Sequence, residues 1–289
     1  MRERKFGFLA GLGFREWSVE EVLSCLRDLG YSGVSWPFFW FDPRQRAVDA
    51  LARLVEGTRK QGMEVAELCI QQDLVEGDDA ARQERINAMI MVIRQAGEEG
   101  VPNLNVFTGP APWNPKAPRL GVDISEGQAW SRIEAAFSQL LPVAEEAGAF
   151  LCVESVFGHT VHDYYTTREL FTRCSSPALA INMDPSHYAL VRNDIPWAIR
   201  QWGDRIKHVH LKDAVGRPGM PQQDFIFPLL GEGLVDWPAF LAALDEVGYD
   251  GFLTVEFESF NYYRTVLADD PSRAAAISME QIRALMIQK

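Results

Sequence analysis

The sequence lacks the features that mark secreted, membrane-spanning and zinc-finger proteins. Its four cysteines, Cys25, Cys69, Cys152 and Cys174, have no CxxC spacing and lie in apolar segments, which disfavours disulfides and thiolate metal sites. No apolar run reaches the ~20 residues of a membrane helix. The basic first residues precede only a short, glycine-punctuated apolar stretch, without the small-residue cleavage site of a signal peptide. We therefore expect a cytoplasmic protein that does not bind a membrane.

Basic residues are also scarce. The chain has 40 acidic against 28 basic residues, which gives a formal net charge of −12. A chain with this balance repels a polyanion instead of collecting one. The composition therefore predicts that the protein has no nucleic-acid partner.

Strand and helix patterns alternate along the 289 residues. Eight mostly apolar segments read as strands, over 5–14, 33–40, 63–70, 103–108, 150–156, 179–183, 206–212 and 251–258. Helical patterns follow them over 18–29, 43–61, 80–99, 125–147, 167–174, 194–202, 236–247 and 268–288. Alternating strands and helices of this kind close into barrels, which run to about 250 residues or more as one domain. The pattern predicts a closed parallel (β/α)8 TIM barrel of the α/β class, as a single domain over 1–289.

Polar residues at the C-terminal ends of the last four strands carry most weight, because function in such a barrel lies where strands end. Glu154 ends the fifth strand, Asp184 and His187 follow the sixth, His210 ends the seventh, and Glu256 ends the eighth. Three carboxylates and an imidazole converging from neighbouring strands predict a roughly octahedral divalent-metal site. Without a cation, the clustered carboxylates would raise one another's pKa values.

The ordered motifs between Phe150 and Glu258 resemble a known family. They are Glu, Asp-x-x-His, His-x-His-x-Lys-Asp, Arg-Pro-Gly, Gly-x-Gly and Glu. This order resembles the xylose isomerase-like barrels, the sugar phosphate isomerase/epimerase family, and is most similar to its ketose 3-epimerase and inosose-processing branch. The resemblance implies one divalent metal ion held by four ligands, Glu154, Asp184, His210 and Glu256. It also implies that Glu154 and Glu256 are the catalytic acid/base pair and that His187 and Arg217 bind substrate.

The expected reaction is proton abstraction next to the carbonyl of a ketose, keto-sugar or inosose. A metal that chelates the substrate oxygens stabilises the enediolate, and two carboxylates remove and return the proton. Mn²⁺ or Mg²⁺ suits the ligand set best, while Co²⁺, Fe²⁺ and Zn²⁺ stay open. Trp113 and His159 are further substrate-binding candidates, since an aromatic rim suits the apolar face of a sugar or cyclitol. For His208 we expect a supporting role in the core, and for Lys212 a position at the rim beside Glu256 or Asp213.

Three alternatives to an isomerase or epimerase need to be weighed. A dehydratase of inosose or dehydroshikimate type would use the same metal ligands and the same first proton abstraction. An AP-endonuclease-like hydrolase is disfavoured, because the segments FTGP and DFIFPLL lack the further histidines that such a metal cluster needs. A non-catalytic sugar-binding barrel is the third reading. The family resemblance also implies a homo-oligomer, as a dimer or tetramer.

Overall fold

The computed structural model describes residues 4–217 and 224–287, which form a closed barrel. Its eight parallel strands neighbour one another in the order β1-β10-β7-β6-β5-β4-β3-β2. The barrel strands are β1 (Lys5–Leu9), β2 (Gly33–Pro37), β3 (Glu64–Cys69), β4 (Asn103–Val106), β5 (Phe150–Glu154), β6 (Leu179–Met183), β7 (Ile206–Leu211) and β10 (Phe252–Val255). A small antiparallel hairpin, β8 (Val215–Arg217) with β9 (Asp224–Ile226), lies between β7 and β10 in the chain. The predicted (β/α)8 TIM barrel is confirmed.

Helices connect the barrel strands on the outside. They are α1 (Val19–Leu29), α2 (Ala50–Lys60), α3 (Asp79–Glu98), α4 (Glu126–Ala147), α5 (Tyr164–Arg173), α6 (Pro185–Leu190), α7 (Ile195–Trp202), α8 (Trp237–Glu246), α9 (Phe260–Thr265) and α10 (Pro271–Ile287). Capping boxes are present at Ser18 and Ser125, where two of the predicted helical patterns begin, because each hydroxyl accepts a hydrogen bond from the N–H of the residue three positions on. Among the described residues, no helix combines the length and the apolar character that a membrane crossing needs.

Several element boundaries differ from the sequence prediction. The second strand ends at Pro37, and the aromatic residues after it form a 3₁₀ turn, Phe38–Trp40, instead of continuing the strand. Helix α2 begins at Ala50 and not at residue 43, because the carboxylate of Asp42 accepts hydrogen bonds from the backbone and side chain of Arg44 and holds a turn there. The short helices α6 and α9 and the β8–β9 hairpin were not predicted.

The Gly-x-Gly segment folds around a buried carboxylate that follows β7. Asp213 accepts hydrogen bonds of 2.9–3.1 Å from the backbone N–H groups of Ala214, Gly231, Gly233 and Val235 and from the indole of Trp237. A Cβ added at Gly233 would lie 2.0 Å from Asp213 Oδ1, so only glycine fits this close approach. The segment therefore shapes the loop before α8.

The barrel interior contains polar side chains below the mouth. Ser35, Glu67, Asn182, His208 and Thr254 are all buried there. The strand register aligns Ser35 with Glu67 and Asn182 with His208, so these side chains stack into neighbouring layers. This polar interior forms the base on which the side chains at the strand ends rest.

Candidate functional site

The four predicted metal ligands meet at the C-terminal mouth of the barrel. Glu154, Asp184, His210 and Glu256 each offer one ligand atom, and these atoms all lie within 4.8 Å of one another. Glu154 ends β5, Asp184 caps α6 directly after β6, His210 belongs to β7, and Glu256 follows β10. The first three side chains are fully buried, and Glu256 is half-buried. The structure therefore brings together the complete set.

Hydrogen bonds orient the carboxylate of Glu154. Its Oε2 accepts from Gln71 Nε2 at 2.8 Å and from Asn105 Nδ2 at 2.9 Å. Its Oε1 faces the centre, 3.5 Å from both His187 Nε2 and His210 Nδ1. One oxygen is thus fixed by amides while the other faces the ligand cluster. Sequence reasoning missed Gln71 and Asn105, although an asparagine inside an apolar strand was a signal.

Asp184 shows the same division between its two oxygens. Oδ1 accepts from the backbone N–H of Ser186 at 2.8 Å and from its hydroxyl at 2.7 Å, as the cap of α6. Oδ2 is buried without a hydrogen bond, although the Lys212 ammonium lies 2.9 Å away as an ion pair. A buried carboxylate oxygen without a hydrogen bond is suited to act as a ligand of a metal cation.

A buried glutamate from β3 orients His210. Glu67 Oε1 lies 2.7 Å from His210 Nε2, while Nδ1 of the same ring faces the centre, 3.4 Å from Glu256 Oε2. An Nε2 proton shared with Glu67 leaves the Nδ1 lone pair free for a metal, as in carboxylate–histidine–metal arrangements. Burial opposes ionisation of Glu67, but His208 and His210 beside it lower its pKa to about 2. Sequence reasoning missed Glu67; the signal was a glutamate in the apolar strand EVAELC.

His208 lies behind His210 in the barrel interior. It is fully buried, and its Nε2 lies 3.1 Å from Glu67 Oε1, although the contact lacks hydrogen-bond geometry. Glu67, His208 and His210 also lie close enough together to hold an ion. The short hydrogen bond between Glu67 and His210 explains why these side chains are close without requiring an ion. This agrees with the supporting role expected for His208.

Lys212 corrects one expectation. It does not lie at the rim: the side chain is buried, and its Nζ lies 2.5 Å from Glu256 Oε2 and 3.1 Å from Glu258 Oε2, besides its contact with Asp184. The physical reason is charge, because several buried carboxylates at one place draw the nearest ammonium inward. Burial works against the charged amine, yet Asp184, Glu256 and Glu258 raise the pKa of Lys212 well above its ordinary value.

The carboxylates differ in their affinity for protons. Burial opposes the ionisation of Glu154, but His210, His187 and Lys212 hold its pKa well below the ordinary value. Burial raises the pKa of Glu256 as well, but Lys212 and His210 together lower it below its ordinary value. Burial dominates for Glu258, whose pKa is raised. The site therefore contains two carboxylates that stay ionised and one carboxyl group that holds a proton more readily.

The predicted substrate-binding residues have different positions. His187 lies in the centre, with Nε2 3.3 Å from Lys212 Nζ and 3.5 Å from Asp184 Oδ2. Trp113 lines the cavity above and is 58% exposed. His159 is buried behind Trp113, with ring centroids 5.3 Å apart, and its Nδ1 accepts from the N–H of Gly109. Its position suits support of the Trp113 ring instead of the direct contact with substrate that we expected. The side chain of Arg217 lies outside the described residues.

A cavity of about 1000 Å³ opens above the ligand cluster. Its floor is polar, with Gln71, Glu154, His187, Lys212 and Glu256 among the lining residues. Its walls are mainly apolar and come from the connections after β4, β5, β7 and β10. A polar floor within apolar walls is the usual form of a small-molecule site, and the carboxyl ends of barrel strands are its usual place.

Curated proteins with similar sequences include a rhizopine catabolism protein and several inosose dehydratases. The rhizopine catabolism protein MocC of Rhizobium meliloti is 30% identical over 258 residues, which cover 83% of this chain and 74% of the relative. An inosose dehydratase of Lacticaseibacillus casei is 25% identical over 140 residues, which cover 45% of this chain and 47% of the relative. The chain thus matches about half the length of the inosose dehydratases.

Solved structures and a family model identify the same fold. The apo form of the 3-keto-D-glucoside 4-epimerase YcjR of E. coli has a TM-score of 0.76 at 16% identity, covering 98% of this chain and 100% of the other. The IOLI protein with a binding zinc atom has a TM-score of 0.74 at 16% identity, covering 98% and 96%. The model described as xylose isomerase-like TIM barrel matches residues 23–285. Because this match spans most of the chain, the protein belongs to the xylose isomerase-like TIM barrel family.

Proposed function

We propose that the protein is a divalent-metal-dependent isomerase or epimerase that abstracts a proton next to the carbonyl of a ketose, keto-sugar or inosose. The observation that carries this proposal is the convergence of Glu154, Asp184, His210 and Glu256 on the floor of a cavity large enough for such a substrate. The inosose dehydratases among the similar sequences and the 3-keto-D-glucoside 4-epimerase among the similar structures support it. A sugar or cyclitol is the proposed partner, and a dimer or tetramer the proposed assembly.

The donor set fits a divalent cation. Three carboxylates and one imidazole suit Mn²⁺ or Mg²⁺ best, and Co²⁺, Fe²⁺ or Zn²⁺ are the alternatives. The unbonded oxygen of Asp184 and the inward Nδ1 of His210 support this assignment. The zinc atom named for the IOLI structure supports it as well. When bound, the ion would supply Lewis-acid stabilisation of the negative charge that develops on the substrate oxygen.

Glu154 and Glu256 are the proposed acid/base pair. Both pKa values are lowered, so both side chains are ionised at neutral pH. Glu154 ends β5 and Glu256 follows β10, and β6 and β7 separate these strands in the barrel, so the two carboxylates approach the centre from different sides. One removes the proton from carbon, and the other takes up a proton from solvent and delivers it to the opposite face. His187, beside both Glu154 and Asp184, donates a hydrogen bond to the substrate oxygen.

Exchange of a substrate C–H proton with solvent deuterium tests this pair. We expect NMR to detect exchange in at least one member of a panel of ketoses, keto-sugars and inososes. Glu256→Gln removes the base while keeping the size of the side chain, so exchange should fall by about 10²–10⁴-fold. Tyr165→Ala, an exposed position on α5, is the control for general damage. Unchanged exchange in Glu256→Gln would exclude Glu256 from the mechanism.

A dehydratase acting on an inosose is the second candidate. The match to inosose dehydratases favours it, and so does Glu258, whose raised pKa suits an acid that protonates a leaving hydroxyl. Mass spectrometry of the product decides between the two: loss of one water identifies a lyase, whereas unchanged mass identifies an isomerase. If the protein is a lyase, Glu258→Gln should stop the loss of water but should not change the exchange of the substrate C–H proton.

A further inference from the structure

The walls of the cavity carry far more apolar surface than a bare sugar needs. Trp113, Ile226, Phe260 and Val266 line it while remaining between 42% and 61% exposed. They come from three separate connections, after β4, after β7 and after β10. Apolar side chains that gather around one opening mark a binding site, whereas scattered ones need no explanation. The mouth of the cavity is therefore built to contact something apolar.

An aromatic wall connects this mouth to the reactive floor. The ring of Phe157 lies 4.7 Å from that of Phe225 and 5.6 Å from that of His187. Phe227 continues the wall, with its ring 6.0 Å from His187 and 4.8 Å from the Lys212 ammonium. A ligand whose reacting ring lies on the floor would therefore extend any further substituent along aromatic faces. These faces attract carbon surface and offer few hydrogen bonds to hydroxyl groups.

Size leads to the same conclusion. The volume of about 1000 Å³ lies at the upper end of the ~300–1,000 Å³ range that holds drug-sized ligands. A single sugar or cyclitol ring fills only part of this space. The remainder is bounded mainly by apolar side chains, with polar ones such as Ser259, Asn261 and Thr265 in the connection after β10. A second hydroxyl-rich unit lying against the apolar wall would lose hydrogen bonds to water that this wall cannot replace.

Charge argues against a phosphate in that remaining space. Among the lining residues that the structure describes, Lys212 is the only lysine or arginine, and three carboxylates already surround its ammonium. The unassigned part of the ligand is therefore apolar and uncharged.

We infer that the substrate is a keto-sugar or cyclitol ring that bears an apolar, preferably aromatic, substituent, as in an aryl glycoside. This inference rests on the proposed function and specifies its substrate class. The ring occupies the polar floor, and the substituent packs against Trp113 and Ile226 at the mouth. A concave opening suits this occupant better than a second copy of the chain, which needs a standard interface of about 800 Å² per partner.

Matched ligands test the inference by binding alone. The methyl and phenyl 3-keto-D-glucopyranosides, as both anomers, differ only in the substituent and are titrated calorimetrically into Mn²⁺-loaded protein. Burying a phenyl group at about 25 cal/mol per Å² predicts a Kd at least about tenfold lower for the phenyl glycoside of one anomer. Trp113→Ala and Ile226→Ala should each reduce this ratio at least about threefold. Tyr165→Ala, an aromatic position that is 57% exposed outside the cavity, should leave it unchanged.

Three results would overturn the inference. The first is equal or no binding of the methyl and phenyl glycosides. The second is a ratio of methyl to phenyl Kd values that is unchanged in both Trp113→Ala and Ile226→Ala. The third is sedimentation showing a dimer that Trp113→Ala and Ile226→Ala dissociate, because a second copy would then cover the mouth. Proton exchange on unsubstituted ketoses or inososes, measured in parallel, separates failure of the substrate class from failure of the proposed function.

Discussion

At the scale of single residues, the orientation of His210 depends on Glu67. The ring has two nitrogens, and the 2.7 Å contact between Nε2 and Glu67 decides which of them faces the ligand cluster. Glu67 and His210 lie 143 positions apart in the chain, so no local pattern could reveal the pair. The barrel closes this distance because β3 and β7 both direct these side chains inward.

Glu67→Gln should weaken metal binding without unfolding the barrel. The amide oxygen can still accept the Nε2 proton, but the negative charge that strengthens His210 as a ligand is lost. We expect the Kd for Mn²⁺, measured by calorimetry, to rise by about 10–100-fold. Ser35→Ala, another buried polar position of the barrel interior, should leave this Kd unchanged. An unaltered affinity in Glu67→Gln would contradict the proposed role of Glu67.

His159 predicts a specific dependence of stability on pH. Burial, reinforced by His187, lowers the pKa of His159 to about 3, so the folded protein keeps this ring neutral. The unfolded chain takes up a proton near its ordinary pKa of about 6.5, so stability is lost as pH falls from there towards 3. His159→Gln should reduce the slope of unfolding free energy against pH, between pH 6 and 4, by up to about 1.4 kcal/mol per unit.

NMR titration of the His159 ring checks the origin of this slope. The ring should remain neutral down to pH 4 in the folded protein. Protonation near pH 6.5, or an identical slope in His159→Gln, would show that burial does not hold the ring neutral.

At the scale of elements, the sequence predicted the long helices and the strand sequence well. Amphipathic spacing and the caps at Ser18 and Ser125 are local signals, and both caps are present. The short elements escaped prediction for a physical reason. A six-residue helix such as Pro185–Leu190 has little stability of its own and forms because Asp184 caps it and the barrel buries it. The β8–β9 hairpin likewise depends on packing of Phe225 against Phe157.

The loop before α8 supplies a prediction about stability. Gly233→Ala would place a Cβ 2.0 Å from Asp213 Oδ1 and 2.6 Å from a backbone oxygen, so the hydrogen bonds to Asp213 must shift. We expect chemical denaturation to show a loss of about 1–3 kcal/mol. Gly127→Ala in α4, where an added Cβ meets nothing within 4 Å, is the matched control and should gain about 0.4–1 kcal/mol. Equal effects of the two substitutions would contradict the role assigned to Asp213.

At the scale of the whole molecule, the four candidate metal ligands could be predicted from the sequence because the ends of the strands could be predicted. Glu154, Asp184, His210 and Glu256 lie at the C-terminal ends of four consecutive predicted strands, and barrel geometry brings these ends together. The supporting residues could not be found in this way. Lys212 lies beside Glu256 as expected but is buried and not at the rim, because its burial depends on the summed charge of three carboxylates that follow β6 and β10. The cytoplasmic location and the assembly state stay predictions.

The metal dependence of proton exchange tests the account most directly. Protein stripped with a chelator is compared with the same protein reloaded with Mn²⁺ or Mg²⁺, and incorporation of solvent deuterium into the ketose, keto-sugar and inosose panel is followed by NMR. We predict that exchange disappears on stripping, returns with one ion bound per chain, and falls in Asp184→Asn together with the bound metal. Exchange that persists in the stripped protein, or its absence from the whole panel despite a bound ion, would contradict the proposed metal-dependent proton abstraction.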